Sequence, residues 1–550
     1  MIKFSYISNH TPEVLLVIYC IRYSVYVFKM IILIAFVAFL SIIYQATKKL
    51  DYWDRKKIPH IKPLPIAGNF LNLWLAKSTM HEIEDCICKQ FPNEPVVGAY
   101  YGTEPCLIVQ EPQLIKTVTT KDFYFFSNRE VSDHSHKELL TKNLFQTYGD
   151  KWKVLRQNLT PVFSSAKMKK MFHLIEQCAK TFEKMLDNQV TSGQITEVRQ
   201  LMGRYTMDCI GSCAFGVNTK AMDEQETDNP FRKIAEVIFD IAYHRFIKIH
   251  FRAIWPNIFY GLGMKTIPKK VETFFTDLLF GVFKERDGKP SSRNDFVDLM
   301  MGFNTNKCIT GDSMNNFKSN RKDQATINVD DDFLAAQCFL FFAAGFETSS
   351  GTLSFTLYEI AKNKNAQEKA QAEIDEYLRN HDGVLRYECI SELPYLDQCV
   401  DEALRLYPVL GVITREVVEP YTFADIGLTV ERGMRIHLPV YHLQRNPKYF
   451  SNPNEYKPER FSQKEKKNIV PYTYFPFGEG PRICIGMRFA KMQILSGLMT
   501  VLKKYDVDLA DGMPTNLEYH SRSFVTQSKC GIKLMFTPRK DIEPVMFLRQ

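Results

Sequence analysis

The rhythm of hydrophobic and polar positions changes several times along the chain. Met30 to Ala46, MIILIAFVAFLSIIYQA, is uncharged throughout. It is long enough to span a bilayer, at the short end of a range of about 17–25 residues. Lys48, Lys49, Arg55, Lys56 and Lys57 follow, which by the positive-inside rule leaves the remainder in the cytosol. No small-residue cleavage site comes after the run, so a retained anchor is expected rather than a cleaved signal. Upstream, EVLLVIYCIRYSVYVFK (13–29) is apolar but broken by Arg22 and Lys29, and Val14 to Ile21 is too short to cross. Two expectations compete for residues 1–29: an extension lying on the membrane surface, or sequence upstream of a working start at Met30. IPHIKPLPIAGNF (58–70) reads as a stiff hinge, extended at Pro59, Pro63 and Pro65 and turning at Gly68.

Beyond the hinge, VVGAYYGTEPCLIVQ (96–110) predicts two short strands around a Gly-Thr-Glu-Pro turn. From about 112 to 300 the pattern is amphipathic helix, with local breaks at Pro161 and Pro230. Residues 303–328 are rich in Asn, Ser and Lys without apolar periodicity and predict a mobile surface loop. Asp330, Asp331 and Asp332 then offer a cap and an acidic first turn to a helix from Phe333 to Ile360, about 42 Å long. It is apolar on all faces from Phe333 to Phe346, as in a helix threaded through a protein interior. Glu347 and the run Thr348–Ser350 interrupt it too early for a second membrane span.

Composition adds little to this picture and charge adds more. With 45% hydrophobic and 24% charged residues, a large core is available. A formal charge of +8 on 550 residues argues against a dedicated nucleic-acid binder and suits a membrane surface or an acidic protein partner. Thirteen cysteines, an odd number with no framework of spacings, read for the most part as reduced, buried apolar residues of a cytosol-facing protein.

Four stretches carry candidate chemistry. FPFGEGPRICIG (475–486) surrounds Cys484 with turn residues and sets it before a helix beginning after Gly486, where free N–H groups stabilise a thiolate. AGFETS (344–349) puts an acid and an alcohol into the apolar helix. Thr348 either bonds the carbonyl of Ala344, or that bond is loosened beside Gly345 to leave a groove for a small ligand, with Glu347 supplying protons. EALR sets Glu402 and Arg405 on one helix face, either as an exposed ion pair or, with Arg460 of KPERF, as a buried three-membered network. DKWKVLRQ puts Trp152 and Arg156 on one face, either to bind a carboxylate or as a core ring beside a solvated cation.

Together these stretches resemble the cytochrome P450 superfamily, over nearly the whole chain from the anchor to about residue 536. The haem-loop pattern F-x-x-G-x-R-x-C-x-G is met by Phe477, Gly480, Arg482, Cys484 and Gly486. Ala344, Gly345, Glu347, Thr348 and Ser349 meet the buried-helix pattern, Glu402, Arg405 and Arg460 the E-x-x-R and P-E-R-F patterns, and Trp152 and Arg156 the W-x-x-x-R pattern. WKVLRQNLTPVFSSAKMKKMF and FFAAGFETSS look most like insect microsomal members, a group that includes many detoxification enzymes.

The resemblance implies a mainly α fold with a small β-rich subdomain and a long central helix over haem b. Cys484 would be the axial ligand of the haem iron, tuned by backbone N–H groups near Gly486, with Phe477 packed near the sulfur and Ala344 against the porphyrin. Arg482, Trp152, Arg156 and Arg415 would hold propionates, and Thr348 and Glu347 would relay protons to the dioxygen being reduced. Electrons would come from NADPH through the flavins of NADPH–cytochrome P450 reductase docked on the cysteine side, with cytochrome b5 as a second donor. Lys151, Lys153, Lys167, Lys169 and Lys170 would be the basic contacts for the reductase, unless they are merely solvated. Phe145, Leu340, Ala343, Val412, Ile413, Phe524 and Val525 would line a pocket for a lipophilic substrate. The hinge lacks the glycine usual between its first prolines, and Tyr456 stands where phenylalanine is common.

The expected product is a monooxygenase of the endoplasmic reticulum membrane: residues 30–46 as anchor, 47–70 as hinge and 71–550 as the cytosolic catalytic unit. Two rivals are a haem-thiolate isomerase or dehydratase of hydroperoxides, which would not need the Glu347–Thr348 pair, and a haem-based ligand carrier or sensor.

Overall fold

The computed structural model describes residues 12–540 apart from 192–194, 292, 294 and 320. Its first element, α1 (Pro12–Thr47), runs without a break through Met30. The boundary expected at residue 29 is therefore not a backbone boundary: Arg22 and Lys29 are exposed and leave the hydrogen-bond ladder of a helix intact. Met30, Ile31, Ile32, Leu33, Ile34, Phe36 and Val37 are exposed, an apolar surface that the other described residues leave uncovered. The proline segment is stiff partly because it is paired: Pro59 O accepts from Gly98 N at 2.8 Å, and Gly68 bridges to Tyr101.

The expected strands form as β1 (Val96–Tyr101) and β2 (Glu104–Val109), joined through Gly102 and Thr103. A helical stretch follows in which prolines open elements as well as breaking them: α2 (Gly149–Leu159) passes into a 3-10 turn containing Pro161, and Pro230 is the first residue of the helix Pro230–Phe239. The helix α3 (Val198–Ile210) lies behind these.

The described residues of 303–328 form regular elements in place of the expected mobile loop. The helix Phe296–Asn306 ends at Lys307, and β3 (Cys308–Asp312) pairs antiparallel with β4 (Gln324–Asn328). Ile309 faces Ile327 on the buried side, while Thr310 and Thr326 share a hydroxyl bond at 2.9 Å outside. One apolar pair is too little to register as a period, so the hairpin was hidden in its composition.

The long helix α4 (Asp331–Lys362) is capped by the Asp330 side chain, which accepts from Phe333 N at 2.7 Å. Most of it is buried, as expected of a core helix and not of a span. It crosses α3 at Gly345, where a Cβ would stand 2.7 Å from Ile210 Cδ1. Thr206 Oγ1 reaches Phe346 O at 3.0 Å across the same crossing. After α5 (Pro394–Leu406), β5 (Ile413–Glu416) and β6 (Arg435–Leu438) complete a four-stranded sheet in the order β1-β2-β6-β5. β2 and β6 are parallel, and Arg415 stands opposite Ile436. The helix α6 (Met487–Leu502) closes the core, its Gln493 amide donating to Thr206 O at 2.9 Å. The architecture is mainly α with a small β-rich subdomain.

Candidate active site

Cys484 ends a tight loop. Gly478 N donates to Phe475 O at 2.9 Å, Ile483 N to Gly480 O at 3.0 Å, and Cys484 N to Phe477 O at 2.8 Å. Gly480 has φ of +71°, and a Cβ there would overlap the Thr119 carbonyl, so the close backbone approach requires glycine. Gly486 is the N-cap of α6, and its amide lowers the pKa of Cys484, as do Arg156 and Arg129. Desolvation by the protein atoms crowded around the sulfur outweighs them and pushes the thiol up. A coordinated cation deprotonates such a thiol outright. Cys484 is nonetheless exposed, and so is Ala344 midway along the otherwise buried α4.

Around the cysteine stands a set of cations without counter-charges. Arg129, Arg156, Arg415 and Arg482 form no ion pair among the described residues. Burial lowers the pKa of all four, and repulsion from the other three adds to this at Arg482. Arg415 is brought down to about 10. Arg129 Nη1 and Arg415 Nε are buried with no hydrogen-bond partner. Arg482 is differently placed: it donates to the carbonyls of Ser127 (2.9 Å), Thr147 (2.8 Å) and Phe145 (3.4 Å) and lies 4.4 Å from the centre of the Trp152 ring. Trp152 is packed in the main core, and Arg156, one turn on, is half-buried. Unspent donors, stranded positive charge and an accessible sulfur fit a dianionic, iron-bearing cofactor such as haem.

On α4, Thr348 Oγ1 donates to Ala344 O at 2.6 Å. The bond is made, not loosened, and Ile210 of α3 occupies the space beside Gly345. Glu347 is buried, and its Oε1 accepts from Arg199 Nη2 (2.6 Å), Arg199 Nε (3.1 Å) and Gln527 Nε2 (2.7 Å). Glu347 and Thr348 share a cavity of about 10 Å³ with Thr352, Tyr407, Val409, Val525 and Thr526, which is room for a single water.

The other expected residues divide. Glu402 and Arg405 are fully buried, not an exposed pair: Glu402 accepts from Arg405 Nε at 2.7 Å, Arg405 Nη2 at 2.8 Å and Arg460 Nε at 3.2 Å. Arg405 also donates to the carbonyls of Gln444, Pro453 and Glu455, tying α5 to the segment before the cysteine loop. Tyr456 donates to Cys399 O at 3.0 Å. Phe477 packs on the main core. Of the pocket candidates, Val525 lines the Thr348 cavity and Phe145 lies 3.6 Å from the Arg129 guanidinium. Leu340, Ala343, Val412 and Ile413 are half-buried, and Phe524 is exposed. Of the lysines, Lys169 is paired with Glu388 and Lys153 is folded onto Phe317, whereas Lys151, Lys167 and Lys170 make no ion pair among the described residues. Arg129, Arg199 and Gln527 were missed, since no local motif marks them.

The Glu402 network yields a prediction. Glu402→Ala leaves Arg405 as an uncompensated buried charge and should cost about 3–5 kcal/mol, measured by chemical unfolding. Replacing both by apolar residues of similar volume should cost less than the single change. Equal or greater loss in the double variant would contradict the charge argument.

The comparisons with known proteins agree with the geometry. The family model described as Cytochrome P450 matches residues 58–535. Cytochrome P450 6B2 of Helicoverpa armigera is 31% identical over 506 residues, 92% of this chain and 98% of that protein. Cytochrome P450 6k1 of Blattella germanica is 34% identical over 491 residues, covering 89% and 93%. Cytochrome P450 6a2 of Drosophila melanogaster is 32% identical over 509 residues, covering 92% and 98%. With the cysteine loop, the arginines and the central helix in these positions, the chain belongs to the cytochrome P450 family and is one of its monooxygenases.

Proposed function

We propose that Cys484 ligates haem b and that the enzyme inserts one atom of dioxygen into lipophilic small molecules, with NADPH as the electron source. The net reaction is R–H + O₂ + NADPH + H⁺ giving R–OH + H₂O + NADP⁺. The observation that carries this reading is the group of four arginines without counter-charges beside one accessible cysteine. Bound haem supplies the activation of dioxygen, with the cysteine sulfur donating electron density to its iron. Arg129, Arg156, Arg415 and Trp152 Nε1 would meet the two propionates, and Arg482 would fix Trp152 while contributing charge.

Thr348 and Glu347 handle protons in this reading. Three donors hold Glu347 Oε1, so Oε2 is the atom free to give a proton to a water in the shared cavity and receive one back. Thr348 Oγ1 donates to Ala344 O, so its lone pairs are left to accept from a water in that cavity. Arg199 and Gln527 are positioning residues for this carboxylate.

The substrate pocket would be lined by Leu340, Ala343, Val412, Ile413, Phe524 and Val525, with Phe145 at its cationic edge, which suits a plant toxin, insecticide, lipid or hormone. The exposed apolar side chains from Met30 onward support anchoring in the endoplasmic reticulum membrane, with the hinge and catalytic unit on the cytosolic side. NADPH–cytochrome P450 reductase, with its flavins, and cytochrome b5 would deliver electrons on the cysteine side.

Cys484→Ala should lose the thiolate-type absorption of the reduced carbon monoxide complex; a wild-type spectrum in that variant would overturn the reading. Thr348→Ala and Gln527→Ala should bind substrate normally yet yield about tenfold less product per NADPH, with the difference appearing as peroxide. Unchanged coupling in both would show the pair to be structural only.

A further inference from the structure

The hairpin β3–β4 takes no part in the site, yet it lies on the helix that carries Trp152 and Arg156. One side of α2 faces the cysteine loop, through Trp152 on Arg482. Asp150, Lys153, Val154, Gln157 and Asn158 recur at three- and four-residue spacing along another stripe, and the hairpin covers it. Gln157 Nε2 donates to Asp312 Oδ2 at 2.6 Å and Oε1 accepts from Asp312 N at 2.7 Å. Asn158 Nδ2 donates to Thr310 O at 3.0 Å, and Asp150 Oδ1 accepts from Ser313 Oγ (2.9 Å) and Met314 N (2.6 Å). A Cβ on Gly311 would stand 3.3 Å from Val154 Cα, so the two backbones are in close contact. Lys153, an expected partner contact, has its Nζ 4.2 Å from the centre of the Phe317 ring. A protein approaching this stripe of α2 meets the hairpin instead.

The hairpin's outward charge is positive. Lys307, Arg321 and Lys322 are exposed and form no ion pair among the described residues, and Lys151 flanks them on α2. Lys318 is committed to Glu419 at 2.6 Å. Of the acids, Asp150 and Asp312 are held by the bonds above and by Gln324, which leaves Asp323 as the exposed carboxylate. Among these cations Phe317 is 39% exposed, a large apolar ring on a polar rim. From it a continuous stack leads inward: Phe317 to Phe123 at 5.3 Å, Phe123 to Trp152 at 5.5 Å, and Trp152 to Arg482 at 4.4 Å, two residues from Cys484.

We infer that the hairpin, with Phe317 at its centre and Arg321 and Lys322 at its tip, is the docking surface for an acidic flavin-bearing electron donor. The assignment rests on the haem reading above. Opposite charge would steer the encounter, and the ring would be the desolvated contact at its middle.

The test is binding of the full-length holoenzyme, in lipid nanodiscs, to the FMN-bearing domain of a microsomal reductase at low and high salt. Arg321→Glu/Lys322→Glu should weaken binding about tenfold at about 0.01–0.1 M salt and much less near 1 M, where charges are screened within about 3 Å. Phe317→Ala should weaken it at both. Lys62→Glu, an exposed reversal in the proline segment, should leave it unchanged. Each variant's reduced carbon monoxide spectrum checks that haem is in place. If the double reversal loses that spectrum, Arg321→Gln/Lys322→Gln carries the test with a smaller shift of the same sign. Wild-type affinity in the charge variants, or no binding by the wild type, would overturn the docking surface while its thiolate-type spectrum left the haem reading standing. A wild type without that spectrum would sink the haem reading, and this one with it.

Discussion

Like charges crowded out of water set the terms for this fold. Arg129, Arg156, Arg415 and Arg482 gather at Cys484 in surroundings that lower the pKa of every one of them. Burying an ion costs several kcal/mol even after relaxation, and neighbours of the same sign add to it. Such a group persists only if the elements carrying it are held firmly and an anion completes it. Each arginine comes from a different element. Arg415 is fixed by the register of β5 on β6, Arg482 by three carbonyls, and Arg156 by α2, which the hairpin braces from outside. Asn128, beside Arg129, pairs with Glu416, beside Arg415, so two of the cations are tied through their neighbours.

The buried ion pair of α5 follows a different rule, since its charges are met where they stand. Glu402 and Arg405 saturate one another and the carbonyls around them, which makes their network structural. Glu347 lies between these cases. One oxygen is saturated by Arg199 and Gln527, and the carboxylate as a whole opens on a cavity sized for water beside Thr348. A buried acid held from one side only is suited to proton transfer, whereas one held from both sides would be a strut.

What could be read from the sequence was local. The cysteine loop, the capped central helix, the first β-hairpin and the E-x-x-R pair each depend on residues a few positions apart. Burial of Glu402 and Arg405 was left open because an i,i+3 pair looks the same on a surface as in a core; what decides it is Arg460 and the carbonyls of residues 444–455, far along the chain. Arg129, Arg199 and Gln527 escaped notice for the same reason, their partners being brought to them only by the fold. The second hairpin was invisible because its strands are polar on one side and carry a single apolar pair on the other.

In the haem reading the arginine cluster meets two carboxylates of one cofactor. The most direct measurement is retention of haem against haem dimethyl ester, whose propionates are uncharged, after reconstitution of the same full-length protein. The account predicts that the diester is held at least about tenfold more weakly, since one charge-assisted hydrogen bond alone is worth about 1.5–3 kcal/mol. Equal retention of the two forms would contradict it.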